Sequence, residues 1–147
     1  MSRWKYSVTL AALFASTAIA QSERWEDNRI DSNFGGAIQA VIFANASGDK
    51  SVGIVFPSEE CLGFDQEIYK APEYLVNGES MSFFAQCIGL GVRIDFPATN
   101  QGLKYIINQF QSKPQVIYAQ DGVQVIFQTV GFSKAYKEYG SPALDII

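Results

Sequence analysis

The sequence has no histidine, only two cysteines and no surplus of basic residues, with 11 Lys and Arg against 15 Asp and Glu in 147 residues. Each shortage removes a class of chemistry. Without an imidazole the chain cannot by itself build a Ser-His-Asp or Cys-His nucleophile, a His-ligated zinc, an HExxH peptidase or a haem with a proximal His. Two thiols without His make a poor zinc cage, and the absence of a CxxC spacing leaves a redox pair without support. No catalytic residue, metal or other cofactor is therefore expected. A formal net charge of −4 with no basic run argues against nucleic acid as a partner, because phosphate binding draws on clustered Lys and Arg. The same balance disfavours anionic lipid headgroups.

What is present is most specific at the N-terminus. Arg3 and Lys5 precede an uncharged, mostly apolar stretch, and Ala18-Ile19-Ala20 supplies the small residues that a signal peptidase accepts. Counted from residue 6 to residue 21 the stretch is about 16 residues, shorter than the ~20 of a spanning helix. Residues 1–20 are read as a signal peptide cleaved between Ala20 and Gln21, giving an exported product, periplasmic or secreted, with no membrane insertion after cleavage. Cleavage removes Arg3 and Lys5 and no acid, so the mature chain has nine basic and fifteen acidic residues and a net charge of −6.

Export changes the reading of Cys61 and Cys87. An even pair in an oxidising compartment is expected as a disulfide. In the chain-entropy picture a bridge over this loop contributes roughly 3.5 kcal/mol.

Residues 21–35 are polar around a single Trp25 and read as a flexible leader, with burial of Trp25 on the body or on a partner as the alternative. Residues 36–147 then form one domain. The runs 37–44 and 51–56 read as a hairpin ending at Pro57. Its tip carries Asn45-Ala46-Ser47, an N-glycosylation acceptor if a eukaryotic cell secretes the chain. The SxxK spacing of Ser47 and Lys50 falls in this turn without the SDN and KTG elements of serine acyl-transfer enzymes, and is set aside. Residues 57–69 read as a loop. Glu59, Glu60, Asp65 and Glu67 flank Cys61 there, as a solvated loop or as an acidic contact surface for a basic partner.

Asn77-Gly78 is the strongest two-residue hairpin signal, joining 74–76 to 80–88. Met81, Phe83, Ala85 and Cys87 alternate onto one face. A strand at 92–96 follows. Thr99 is placed to cap a helix whose Leu103, Ile106, Ile107 and Phe110 recur at helical spacing, with Gln101, Lys104, Asn108, Gln109 and Gln111 on the polar side and Pro114 beyond its end. Strands at 115–119 and 123–130 flank Asp121-Gly122, and Ser133 is expected to cap a short helix to Tyr139. The tail ends in Ile146-Ile147, docked or exposed.

Seven short strands and one main helix predict an α+β fold: a mainly antiparallel sheet, able to close partly into a barrel, with one packed amphipathic helix and a short C-terminal helix. The function expected is an exported, non-catalytic binding protein acting on another protein, for example an inhibitor or immunity-type protein. Two alternatives stay open. An accessory subunit of an envelope assembly, such as a secretion or conjugation apparatus, would fit an exposed Ile146-Ile147 tail. A small carboxylate-based glycoside hydrolase could draw on Glu59, Glu60, Asp65 and Asp95, because that chemistry runs without histidine.

Overall fold

Short runs of branched and aromatic residues, each ended by a turn, assemble into a single eight-stranded antiparallel sheet in a computed structural model that describes residues 23–63 and 65–140. The strands are β1 (Arg29–Ser32), β2 (Gly35–Ala44), β3 (Lys50–Pro57), β4 (Tyr69–Val76), β5 (Glu79–Gly89), β6 (Val92–Pro97), β7 (Gln115–Gln120) and β8 (Val123–Gln128). Helix α1 (Asn100–Ser112) links β6 to β7, and α2 (Phe132–Glu138) follows β8. A 3-10 turn at Glu59–Cys61 interrupts the long β3–β4 connection. The sheet order β1-β2-β3-β6-β5-β4-β7-β8 curls into a nearly closed barrel. Asn33 bridges the seam: its backbone N–H donates to the Ile126 carbonyl, its side-chain oxygen accepts from the Ile126 N–H at 2.8 Å, and its amide donates to the Gln124 carbonyl. The α+β architecture read from the sequence, with its antiparallel sheet, packed helix and short C-terminal helix, is the architecture found.

Alternating strand directions give the barrel two distinct ends. One end carries the 45–49 turn, the Asn77-Gly78 turn and both helices. The Thr99 hydroxyl accepts from the Gly102 N–H and caps α1. Ile106 and Phe110 then enter the core, where Phe110 stacks on Phe132 with ring centroids 4.9 Å apart. Lys50 fastens α2 by donating to the Tyr136 carbonyl at 2.6 Å, beneath the Tyr136 ring. The opposite end carries the disulfide-bearing connection and the short turns at 89–92 and 120–123.

Four expectations are corrected. Residues 23–35 are not a flexible leader: Arg29–Ser32 pairs with β2, and Trp25, 4% exposed, lies between Phe110 and Phe132 while its backbone N–H donates to the Val130 carbonyl. The strand expected at 74–76 begins five residues earlier, at Tyr69 where the loop ends, and passes Pro72 through an irregularity between Ala71 and Tyr74. Gln109 does not face water; it is buried and accepts from the Asn77 side-chain amide at 2.9 Å. Helix α2 starts at Phe132, preceded by Gly131 at φ +85°, and has no Ser133 cap. The signal peptide with its Ala20-Gln21 cleavage point and the Ile146-Ile147 tail lie outside the described residues.

Candidate binding surface

Two surfaces of the barrel bring together the residues that could carry function. The first is a polar cluster at the disulfide end. Asp95 and Arg93 lie two apart on β6 with both side chains turned inward. Arg93 donates from Nε to Asp95 Oδ1 at 2.7 Å and from Nη2 to Oδ2 at 3.0 Å, while the Tyr74 hydroxyl donates to the same Oδ2 at 2.5 Å. The guanidinium also packs over the Phe56 and Tyr69 rings. Its remaining reach goes outward, where Nη1 donates to Glu60 Oε2 at 2.8 Å and the Tyr69 hydroxyl donates to that oxygen at 2.8 Å.

The disulfide places Glu60 there. Cys61 and Cys87 are bridged, Cys61 directly follows Glu60, and Cys87 is the cross-strand neighbour of Arg93. Reciprocal backbone bonds hold the same segment to the β5–β6 turn, Ser58 N–H to the Gly91 carbonyl and Gly91 N–H to the Cys61 carbonyl. The electrostatics follow from this placement. The Tyr69 hydroxyl bond and the Arg93 charge hold the Glu60 carboxyl below its usual range. Burial works against the Arg93 charge, but the hydrogen bonds and negative charge of Asp95 outweigh it and leave Arg93 more firmly protonated than a free guanidinium. Burial first, then the neighbouring Asp95 charge and hydrogen bond, keeps the Tyr74 hydroxyl neutral far above its usual range.

The four loop carboxylates are therefore not one free acidic surface. Glu60 is committed to Arg93 and Tyr69. Glu59 stands apart, beside Leu62 and Gly91. Asp65 and Glu67 remain solvent-facing and share a shallow depression with Glu60, Ile68 and Tyr69; Asp65 Oδ1 accepts from the Glu67 N–H at 3.0 Å. For the hydrolase reading the consequence is a correction at two positions. Asp95 is fully buried with both oxygens bonded, and Glu60 is shifted in the direction opposite to that of a general acid. Among the described residues, no group of three or more metal-ligating side chains is placed to hold an ion, and no helix is long and apolar enough to cross a membrane.

The second surface is the outer face of β2, β3, β6 and β5, which the sequence reading did not single out. Strand register lines up Gln39, Val55, Ile94 and Gln86 in one row across the sheet, and places Val41 against Gly53 and Phe96 against Phe84 beside it. Val41 and Ile94 form a buried floor although neither belongs to the barrel core. Ile68, Ile88 and Phe84 stand exposed around it at 56%, 47% and 37%. Gly53 allows the floor to be this deep: a Cβ there would meet the Asp95 carbonyl oxygen and the Ile94 side chain at 2.9 Å. The result is an apolar groove from Arg29 and Gln39 at one end to Ile68 and Ile88 at the other. At the Ile68 end it meets the Asp65 and Glu67 depression, held in place where the Gln86 side-chain amide donates to the Gln66 carbonyl. The signal available in the sequence was the lack of alternation in Ala-Val-Ile-Phe at 40–43 and Ile-Val-Phe at 54–56, since apolar residues on both faces of a strand mean both faces are covered or sticky.

The Asn45 turn lies at the rim of this groove. Asn45 Oδ1 accepts from the Ser47 and Asp49 N–H groups, so the turn is a local Asx structure with an exposed tip. No known protein family, curated protein or solved structure matches the chain.

Proposed function

We propose that this chain is an exported, non-catalytic binding protein that engages a protein partner through the outer face of its barrel. The observation that carries the reading is the apolar groove over Val41, Val55 and Ile94, flanked by exposed Ile68, Phe84 and Ile88. A contiguous apolar surface of this kind on the outside of an already filled core is the usual mark of an interaction site. Two further features support it. The barrel interior is occupied by Tyr74, Phe83, Tyr118, Phe127 and Phe110, and the Tyr74 hydroxyl, Asp95 and Arg93 are bonded to one another. The Cys61–Cys87 bridge suits an oxidising compartment, as an exported protein requires.

The experiment is capture from the native envelope and medium fractions on tagged mature protein that begins at Gln21, with bound material quantified against bait. One partner retained in stoichiometric amount, with the protein itself recovered from an exported fraction at the mass of residues 21–147, is the expected result. Recovery of the bait at its full-length mass from the cytosol would overturn export. Turnover of a glycoside by the purified protein would overturn the non-catalytic assignment.

A further inference from the structure

The partner's chemistry can be read from the groove. We infer that it receives a basic amphipathic helix, with the apolar face of about three turns packed on Val55, Ile68 and Ile88 above the buried floor of Val41 and Ile94, and a Lys or Arg over Asp65 and Glu67. This rests on the protein-binding reading above and names the occupant of that same surface.

Three observations select a helix and its charge. The row Gln39, Val55, Ile94 and Gln86 under the groove spans three interstrand spacings across β2, β3, β6 and β5, about 14 Å. That length matches about 10 residues of helix, close to three turns, so a peptide of about 13 residues covers the row with a flank to spare. The backbone beneath cannot recruit an extended peptide, because β2, β3, β6 and β5 are each paired on both sides and offer no open edge. An extended segment laid across the face would leave its own N–H and C=O groups unpaired against apolar side chains, whereas a helix satisfies them internally. The charge follows from the rim. At the β1 end Gln39 bridges the charged pair, accepting from Arg29 and donating to Asp31 at 2.7 Å, so that end is balanced. At the Ile68 end Asp65 and Glu67 are exposed, and neither has a basic partner among the described residues. The groove therefore presents an uncompensated double negative charge beside its most exposed isoleucine, and a basic residue at that end of the helix is the complement.

The test uses isotopically labelled mature protein, disulfide intact, and three synthetic peptides of about 13 residues. One has a leucine stripe at helical spacing with lysine flanks, one has the same stripe with glutamate flanks, and one has the lysine composition with the stripe scrambled. Phosphatidylglycerol vesicles serve as the lipid arm. The lysine-flanked helix is expected to shift the backbone amide resonances of Val41, Val55, Ile94, Phe96 and Ile88. Ile88→Glu, at an exposed position, should weaken it by at least about tenfold. Asp65→Lys with Glu67→Lys should weaken it about threefold or more and turn the preference toward the glutamate-flanked peptide.

Equal binding of the scrambled peptide, resonance shifts centred away from these residues, no binding of any peptide, or engagement of the vesicles in place of the helix would each overturn the proposal. So would indifference to the charge reversal. Because the titration uses isolated protein, its failure is separable from that of the broader reading: a native partner still captured by the Ile88→Glu protein would remove the groove and leave partner binding standing.

Discussion

Arg93 shows how one side chain can set the character of a whole end of a barrel. It is 8% exposed and joined to Asp95 by two bonds, and the pair sits where an uncompensated charge would be expensive. Arg93→Ala is expected to destabilise the protein by about 3–5 kcal/mol in denaturant unfolding, because it strands the Asp95 carboxylate. Replacing both by apolar residues of similar volume should recover most of that loss. Tyr118 makes the opposite case. It is fully buried, its hydroxyl has no partner among the described residues, and burial raises its ionisation above the usual tyrosine range. Tyr118→Phe should leave stability at neutral pH unchanged or up to about 1 kcal/mol higher. At alkaline pH the unfolded chain releases the tyrosine proton near ~10 while the folded chain retains it, so folding weakens as pH rises past that point. The Phe variant should lose less stability there than the parent, measured as midpoint against pH. Glu60 has the reverse sign. Its lowered pKa supplies stability above the ordinary carboxylate value of about 4.3, lost as pH falls through the folded value, so Glu60→Gln should flatten the acid limb of the same profile.

Elements differ in how far local sequence determines them. Gly53 on β3 faces the Asp95 carbonyl of β6 so closely that Gly53→Ala must push the two strands apart, and a loss of about 1–3 kcal/mol is expected by chemical denaturation. The β4–β5 and β7–β8 hairpins were legible because Asn77, Gly78, Asp121 and Gly122 all take positive φ, which the Asn-Gly and Asp-Gly turns supply. Helix α1 was legible from its cap and stripe. Strand β1 was not, because its inward residues are a single isoleucine and a serine, Ile30 and Ser32, set among charged neighbours, and its pairing is decided by β2 and by Asn33 at the seam. The β4 start was hidden for a similar reason: Lys70, Pro72 and Glu73 interrupt the pattern, and the strand is held by β5. The fate of Glu60 was illegible on any local reading, since its charged partner Arg93 lies 33 residues away.

At the scale of the molecule, the barrel divides its labour between a helix-covered end built from aromatic rings and a disulfide end built from an ion-pair network. The bridge links the two parts of that second end, so its removal should do more than loosen a loop. A Cys61→Ala, Cys87→Ala protein is expected to lose roughly 3.5 kcal/mol of unfolding free energy, and the Glu60 contribution to the acid limb should fade with it. Closure of the sheet was open in the sequence as a partial possibility only, because it depends on β1 meeting β8 from opposite ends of the chain. The outer groove is likewise a product of closure and register: Val41, Val55 and Ile94 come from three strands and form one surface only in the assembled sheet.

The central claim, that this outer face holds a protein partner, is tested most directly by placing a photo-crosslinking residue at Val55 and irradiating intact cells of the native host. The account predicts one discrete heavier species whose second chain is joined through an apolar position of a basic amphipathic helix, and its loss in the Ile88→Glu background. No crosslink from Val55, together with a discrete one from a probe on the exposed face of α2, would contradict it and move the interaction to the other end of the barrel.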